Sequence, residues 1–253
     1  MKIQLKKTKK GFTLIVLMVV IAILASLAAV GYGPIMEHMN DGDRQQASQN
    51  LGQVQKMLLA FSQDNGSYPC DATADALLED ENNSEYNFGE LKGDKANDYF
   101  RQLFYKGNTQ EKTFYAKHAG TKEPDNKVAG GQCLTKGECA FAYVLRKESA
   151  NAEEANGRRS VAPDNGAAPL AFSCVPSTRT PYTGDKLRFN REIFYAHAFM
   201  TRVDGSVTDL ESKLVEDPED DTKSVYGKDF TPFPQTKKGR DTSPDYIIVT
   251  PDL

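Results

Sequence analysis

The sequence predicts an α+β fold. One long N-terminal helix, apolar in its first half and amphipathic in its second, packs on a mainly antiparallel β-sheet with long loops. Three observations carry this expectation. The residues from Gly11 to Met36 include no Asp, Glu, Lys, Arg or His. From Ala47 to Phe61 the apolar residues fall on a single helical stripe. Beyond Cys139 the apolar period shifts towards two, in short runs separated by turn residues.

The stretch between Gly11 and Met36 would rise about 36 Å as a helix at about 1.5 Å per residue. A bilayer's hydrocarbon core is about 30 Å thick, so this run is long enough to cross it with some tilt. Lys2, Lys6, Lys7, Lys9 and Lys10 precede the run with no acidic residue among them. Basic flanks stay cytoplasmic, which places the rest of the chain on the outer side. Without residues 1–11 the formal charge moves from −4 to −9. An acidic exported part argues against a nucleic-acid-binding surface, which needs clustered Lys and Arg to release counterions. The competing reading is a secretory signal peptide, whose apolar core is about 7–15 residues and ends at small residues. Ala22 to Ala29 supplies such residues, and a mature start near Leu27 to Gly31 would follow. Against it, the helical pattern continues and the first charge after the run is Glu37.

The residues Lys9-Lys10-Gly11-Phe12-Thr13-Leu14-Ile15-Val16-Leu17 resemble the class III signal of type IV prepilins and type II secretion pseudopilins. The resemblance covers residues 7 to 31. It implies cleavage after Gly11 by a prepilin peptidase at the cytoplasmic face and N-methylation of the new terminus at Phe12. It also divides the chain into a leader at 1–11, a transmembrane and filament-core helix at 12–35, and an exported pilin-like domain at 36–253. Such a protein sits as a single pass in the inner membrane. It reaches the periplasm or cell surface when assembled with other pilin or pseudopilin subunits. One position departs from the pattern: the family usually has Glu at the fifth mature residue, where this chain has Val16. A lone carboxylate at that depth costs about 2.5–3.5 kcal/mol on insertion scales, and pairing it with a neighbour's terminal ammonium rewards assembly. Val16 removes both. Family members lacking the Glu include tip-initiating minor pseudopilins.

Along the rest of the chain, Gly31, Gly33 and Pro34 predict a kink, since Pro34 removes a backbone donor and crowds the preceding turn. Ala47, Leu51, Val54, Leu58 and Phe61 then form the apolar stripe, with Gln45, Gln46, Gln49, Gln53 and Lys56 on the other face. Asn65-Gly66 stops the helix, which from Phe12 to Asp64 would be about 80 Å long. Asp71 to Glu90 reads as an acidic loop. Tyr99, Phe100, Leu103 and Phe104 predict a short helix over 95–105, and Gly120 to Gly137 reads as loop. Strands are expected at Ala140–Leu145, Leu170–Ser173, Ile193–Val203, Val207–Leu210 and Tyr246–Thr250. Asp204-Gly205 predicts a two-residue hairpin turn. Ala150 to Pro169, Glu216 to Thr222 and the stretch on to Pro244 read as surface loops. No internal repeat or interdomain linker is present.

The four cysteines, Cys70, Cys133, Cys139 and Cys174, all follow the apolar run. An even count in an exported domain suggests two disulfides, and four cysteines allow three pairings. The turn-like segment between Cys133 and Cys139 makes a local bond plausible, leaving Cys70 with Cys174. No C-x-x-C and no His pair supports zinc. The three histidines, His38, His118 and His197, belong to no catalytic pattern, so no enzyme and no catalytic residue is expected. Asp217, Glu219, Asp220 and Asp221 offer oxygen ligands that suit calcium but lack EF-hand spacing; Asp41 and Asp43 beside Gly42 are a weaker set. No other cofactor is indicated. The expected function is a structural subunit, minor or tip, of a type IV pilus or secretion pseudopilus. The alternative is a membrane-anchored extracytoplasmic binding protein that does not polymerise.

Overall fold

A computed structural model describes residues 14–83, 85–107, 109–147, 157–173, 182–183, 187–191, 193–194, 197–227, 232–235 and 245–253. The chain divides into two compact units, Met1–Gly42 and Asp43–Leu253. The first described element is the long helix α1, Leu14–Asn65, whose backbone stays helical through Gly31, Gly33 and Pro34.

Within the second unit, the stripe does what its spacing dictates. Ala47, Leu51, Val54, Leu58 and Phe61 are each at most 1% exposed, while Gln45, Gln49, Gln53 and Lys56 face solvent. Gly66, at φ +75°, ends the helix, and Asn65 Nδ2 donates to Phe61 O at 2.8 Å. Burial of five apolar side chains at period 3.6 fixes this half against the domain.

The expected loop after Cys70 is instead a helix, α2, Asp71–Glu79. Thr73 Oγ1 accepts from Cys70 N at 2.8 Å, giving the first turn a partner. Asp71 sits in that turn, where the dipole favours a negative charge. Ala74 and Leu77 point inward. The acidic composition hid a helix with only two buried apolar positions. The third helix, α3, Ala96–Arg101, continues as a 3₁₀ turn over Gln102–Lys106, and Tyr99, Phe100, Leu103 and Phe104 are core residues, as their spacing predicts.

Ten strands are described: β1 Phe141–Lys147, β2 Arg158–Arg159, β3 Pro169–Ser173, β4 Tyr182–Thr183, β5 Phe189–Asn190, β6 Phe199–Arg202, β7 Val207–Asp209, β8 Leu214–Asp217, β9 Asp220–Tyr226 and β10 Tyr246–Val249. The main sheet runs β4-β10-β1-β3-β6-β7, with β2 also pairing to β1, and every one of these pairings is antiparallel. Central β1 is buried over its first five residues. Tyr143 stacks near Tyr99 and Phe100 and its hydroxyl donates to Pro69 O at 2.9 Å.

Two expectations change here. The β6–β7 turn is longer than two residues. Gly205 N donates to Arg202 O at 3.1 Å and Arg202 N to Ser206 O at 3.1 Å, so Val203-Asp204 make the turn and Gly205, at φ +89°, takes the left-handed bulge position after it. The hairpin tip lies close on α1: a Cβ on Gly205 would sit 3.7 Å from Gln55 Nε2, and one on Gly52 would sit 3.4 Å from Val207 Cγ2. The second change is at Glu216 to Thr222. This segment is no loop but the turn of a hairpin, β8–β9, which forms a second sheet in the order β5-β9-β8. Asp217 pairs with Asp220 across Pro218-Glu219, and proline's fixed φ suits the first central position of such a turn. Within Ala150 to Pro169, the described residues include β2; residues 148–156 lie outside the described set.

Candidate functional site

The described side chains of the apolar run, Leu14 to Leu27, are all exposed, Leu14 and Ile15 by 70% or more. A helix apolar on every face is stable only when something apolar surrounds it. Among the described side chains from Leu14 to Leu27 the one hydroxyl, on Ser26, donates to Ile23 O at 2.8 Å, so this polar group needs no water. Val16 lies in this surface, 45% exposed. Among the described residues, no helix is long and apolar enough to cross a membrane. Leu14–Leu27 covers about 21 Å by helical rise, short of the bilayer core. The remainder of the uncharged run, Ala28 to Met36, continues the helical backbone. Gly11 and Phe12, the predicted processing and methylation positions, lie outside the described residues, as does Cys174.

The three described cysteines are buried free thiols, against the cross-links expected of them. Cys139 Sγ contacts Phe141 O at 3.5 Å. The intervening turn is closed by other means. Glu138 N donates to Thr135 O at 3.0 Å, and the buried Glu138 carboxylate accepts from Thr135 N at 2.6 Å and Thr135 Oγ1 at 2.8 Å. Burial pushes the Cys139 thiol up to about 12 and raises Cys133 further, with help from Glu111. Neither is a nucleophile at neutral pH.

This loop is held by a network of buried polar side chains that the sequence did not single out. Arg101 donates to Cys133 O at 2.8 Å, Leu134 O at 3.1 Å and Glu90 O at 3.2 Å, and pairs with Asp98 at 2.7 Å. Glu111 accepts from Leu134 N at 2.7 Å. Asn97 donates to Leu134 O at 2.8 Å and accepts from Asp252 N at 2.9 Å, tying in the C-terminus. Gln102, fully buried, donates to Leu91 O and Cys70 O and accepts from Thr73 Oγ1. Their signal in the sequence was faint: polar residues interleaved with the aromatics of α3. The network joins α3 to the loop at Cys133 and Leu134.

The histidines separate. His118 is held by its ring nitrogen against Ala119 O at 2.8 Å, and burial lowers its pKa. The His38 side chain lies outside the described set. His197, just before β6 rather than inside a strand, places Nδ1 at 2.9 Å from Asp209 Oδ2 and Nε2 at 3.3 Å from Glu211 Oε1. The acids of the β8–β9 hairpin do not converge. Asp217 pairs with Arg188 at 2.6 Å, Glu216 with Arg191 at 2.8 Å and Asp220 with Lys223 at 2.6 Å.

Residues 6–32 match the family described as the prokaryotic N-terminal methylation motif, the class III signal typical of type IV pilins and pseudopilins. A signal of this type is what a prepilin peptidase processes. No curated protein and no solved structure matches the chain.

Proposed function

We propose that this chain is a structural subunit, minor or tip, of a type IV pilus or type II secretion pseudopilus. A prepilin peptidase cleaves it after Gly11 and Phe12 is methylated. It waits in the inner membrane as a single pass before assembly moves it to the periplasm or cell surface. The observation that carries this reading is the first part of α1, which lies within the class III signal: from Leu14 to Leu27 it is apolar on every described face and its one hydroxyl is satisfied internally. Such a surface passes from lipid into a core of sister helices without exposing a polar group, so extraction exchanges one apolar environment for another.

Val16 supports the minor or tip role. With no carboxylate at that position the subunit offers nothing to pair with the terminal ammonium of a neighbour, and a subunit at the tip has no such neighbour to satisfy. The 242 residues after Gly11 include described irregular stretches such as 115–140 and 160–168, where contacts with a substrate or surface belong.

Mass spectrometry of the mature N-terminus tests the processing: N-methyl-Phe12 is expected, and a start between Leu27 and Gly31 would refute it. Assembly is tested by shearing cells. Recovery of the chain in the fibre fraction supports a subunit, whereas its exclusive retention in the membrane fraction supports an anchored binding protein.

A further inference from the structure

The structure assigns a metal site to the exported domain: His197, Asp209 and Glu211 together hold one divalent transition-metal ion of the Zn²⁺ class. This does not rest on the proposed assembly role.

Main-chain pairing brings the three residues together. Phe199 and Asp209 are partners in the β6–β7 ladder, and Leu210 N donates to Ala198 O at 2.8 Å, so His197 faces Asp209 and Glu211 across the open end of the hairpin. Asp209 is set by Glu211 N, which donates to its Oδ1 at 3.0 Å. That leaves Oδ2 turned to the imidazole at 2.9 Å, with Glu211 Oε1 at 3.3 Å from the other ring nitrogen. One ligand atom from each residue falls within a span of 4.8 Å. Zinc–ligand bonds of about 2.0–2.2 Å in a tetrahedron put neighbouring donors about 3.3–3.6 Å apart. An ion takes one ring nitrogen, so the exposed carboxylate that faces the other nitrogen turns about its side-chain torsions to join it, while the ring, 13% exposed, stays fixed.

Charge separates this cluster from three acids of the β8–β9 hairpin. Each of Glu216, Asp217 and Asp220 has an Arg or Lys partner. Among the described residues, Asp209 and Glu211 have no cationic partner other than His197. Two carboxylates facing one imidazole leave negative charge for a cation to neutralise. The imidazole nitrogen selects a borderline metal over calcium or magnesium, which take six or more oxygens. Three protein ligands leave a position open for water or for a donor on another molecule.

The test uses the full, tag-free chain in detergent micelles, stripped with chelator and dialysed, then titrated calorimetrically with ZnCl₂, CaCl₂ and MgCl₂ in parallel. One Zn²⁺ per chain is expected, with a raised melting temperature and no saturable response to calcium or magnesium. His197→Ala should weaken zinc uptake by more than about tenfold, since even indirect supports of a metal site contribute about 10–100-fold. Glu211→Gln, at an exposed position, should weaken uptake while leaving the metal-free melting temperature unchanged, so the site is tested even if His197→Ala fails to fold. Absence of saturable zinc uptake, equal uptake by wild type and Glu211→Gln, or preference for calcium each overturns the assignment.

Discussion

Arg101→Met keeps most of the side-chain stem but removes the whole guanidinium, and its cost can be worked from the contacts. The guanidinium's partner Asp98 has a side chain 10% exposed, against 14% for Arg101 itself. Removing one member of a buried pair costs about 3–5 kcal/mol, because the other charge stays buried without compensation. Two features moderate this. Asp98 keeps the bond from Lys95 N at 3.1 Å, and Leu134 O keeps the one from Asn97. Cys133 O loses its Arg101 donor, worth about 1 kcal/mol. A loss of about 4 kcal/mol at neutral pH follows.

The pH dependence gives the sharper check. Burial raises the Asp98 pKa, and Arg101 works against that rise. A carboxyl with a folded pKa above its unfolded value binds more protons in the folded state. Stability therefore falls as pH rises through the folded value. Without Arg101 the folded pKa climbs further, so the deficit should be largest at neutral pH and should shrink on acidification. Adding Asp98→Asn to Arg101→Met should recover part of the loss. Urea unfolding followed by circular dichroism at neutral and mildly acidic pH measures all of this, there being no Trp to report it. A loss under about 1 kcal/mol, or one that does not change with pH, would show that the pair is not the charge-compensating element inferred here.

Glu111→Gln keeps an oxygen for Leu134 N while deleting a charge that burial and Glu138 disfavour. It should match or exceed wild-type stability at neutral pH, with the advantage vanishing on acidification as the native carboxyl protonates; a neutral-pH melting temperature below wild type refutes this. Gly205→Ala forces a side chain onto φ +89° and should cost about 1–2 kcal/mol in urea unfolding, whereas no change would mean the bulge relaxes. Iodoacetamide at mildly alkaline pH should leave Cys133 and Cys139 unlabelled in the native chain and label both after unfolding. Native labelling of either, read by peptide mass spectrometry, would contradict their burial.

How far the sequence spoke depended on whether a residue's role was periodic. β1, β3 and β10 were legible as short apolar runs, buried over most of their length; the α1 stripe and the aromatic face of α3 were legible because each repeats its own geometry. Burying one face leaves a period that survives in the sequence. Helix α2 and the β8–β9 hairpin were not legible, for opposite reasons. The helix buries only Thr73, Ala74 and Leu77, too few to show a period among acids. The hairpin buries only one residue in each strand, Asp217 and Ser224, so nothing apolar alternates. Its charges serve ion pairs, two of them with Arg188 and Arg191, which are more than twenty residues away in sequence.

The same reasoning explains why acidic density pointed to one hairpin and geometry to another. Four acids within five residues at Asp217 to Asp221 read as a ligand set along the chain, yet the two-residue turn sends Asp217 to Arg188 and Asp220 to Lys223. His197, Asp209 and Glu211 are spread over fifteen residues and look unrelated. They meet because antiparallel pairing sets Phe199 opposite Asp209, which brings residue 197 to the end of the hairpin where the chain leaves β7 through Leu210 into a 3₁₀ turn that begins at Glu211. Ligand density in a sequence therefore measures local charge, which neighbours can cancel. Convergence in a sheet is set by register, and a site found that way owes its position to the backbone hydrogen bonds that hold β6 to β7.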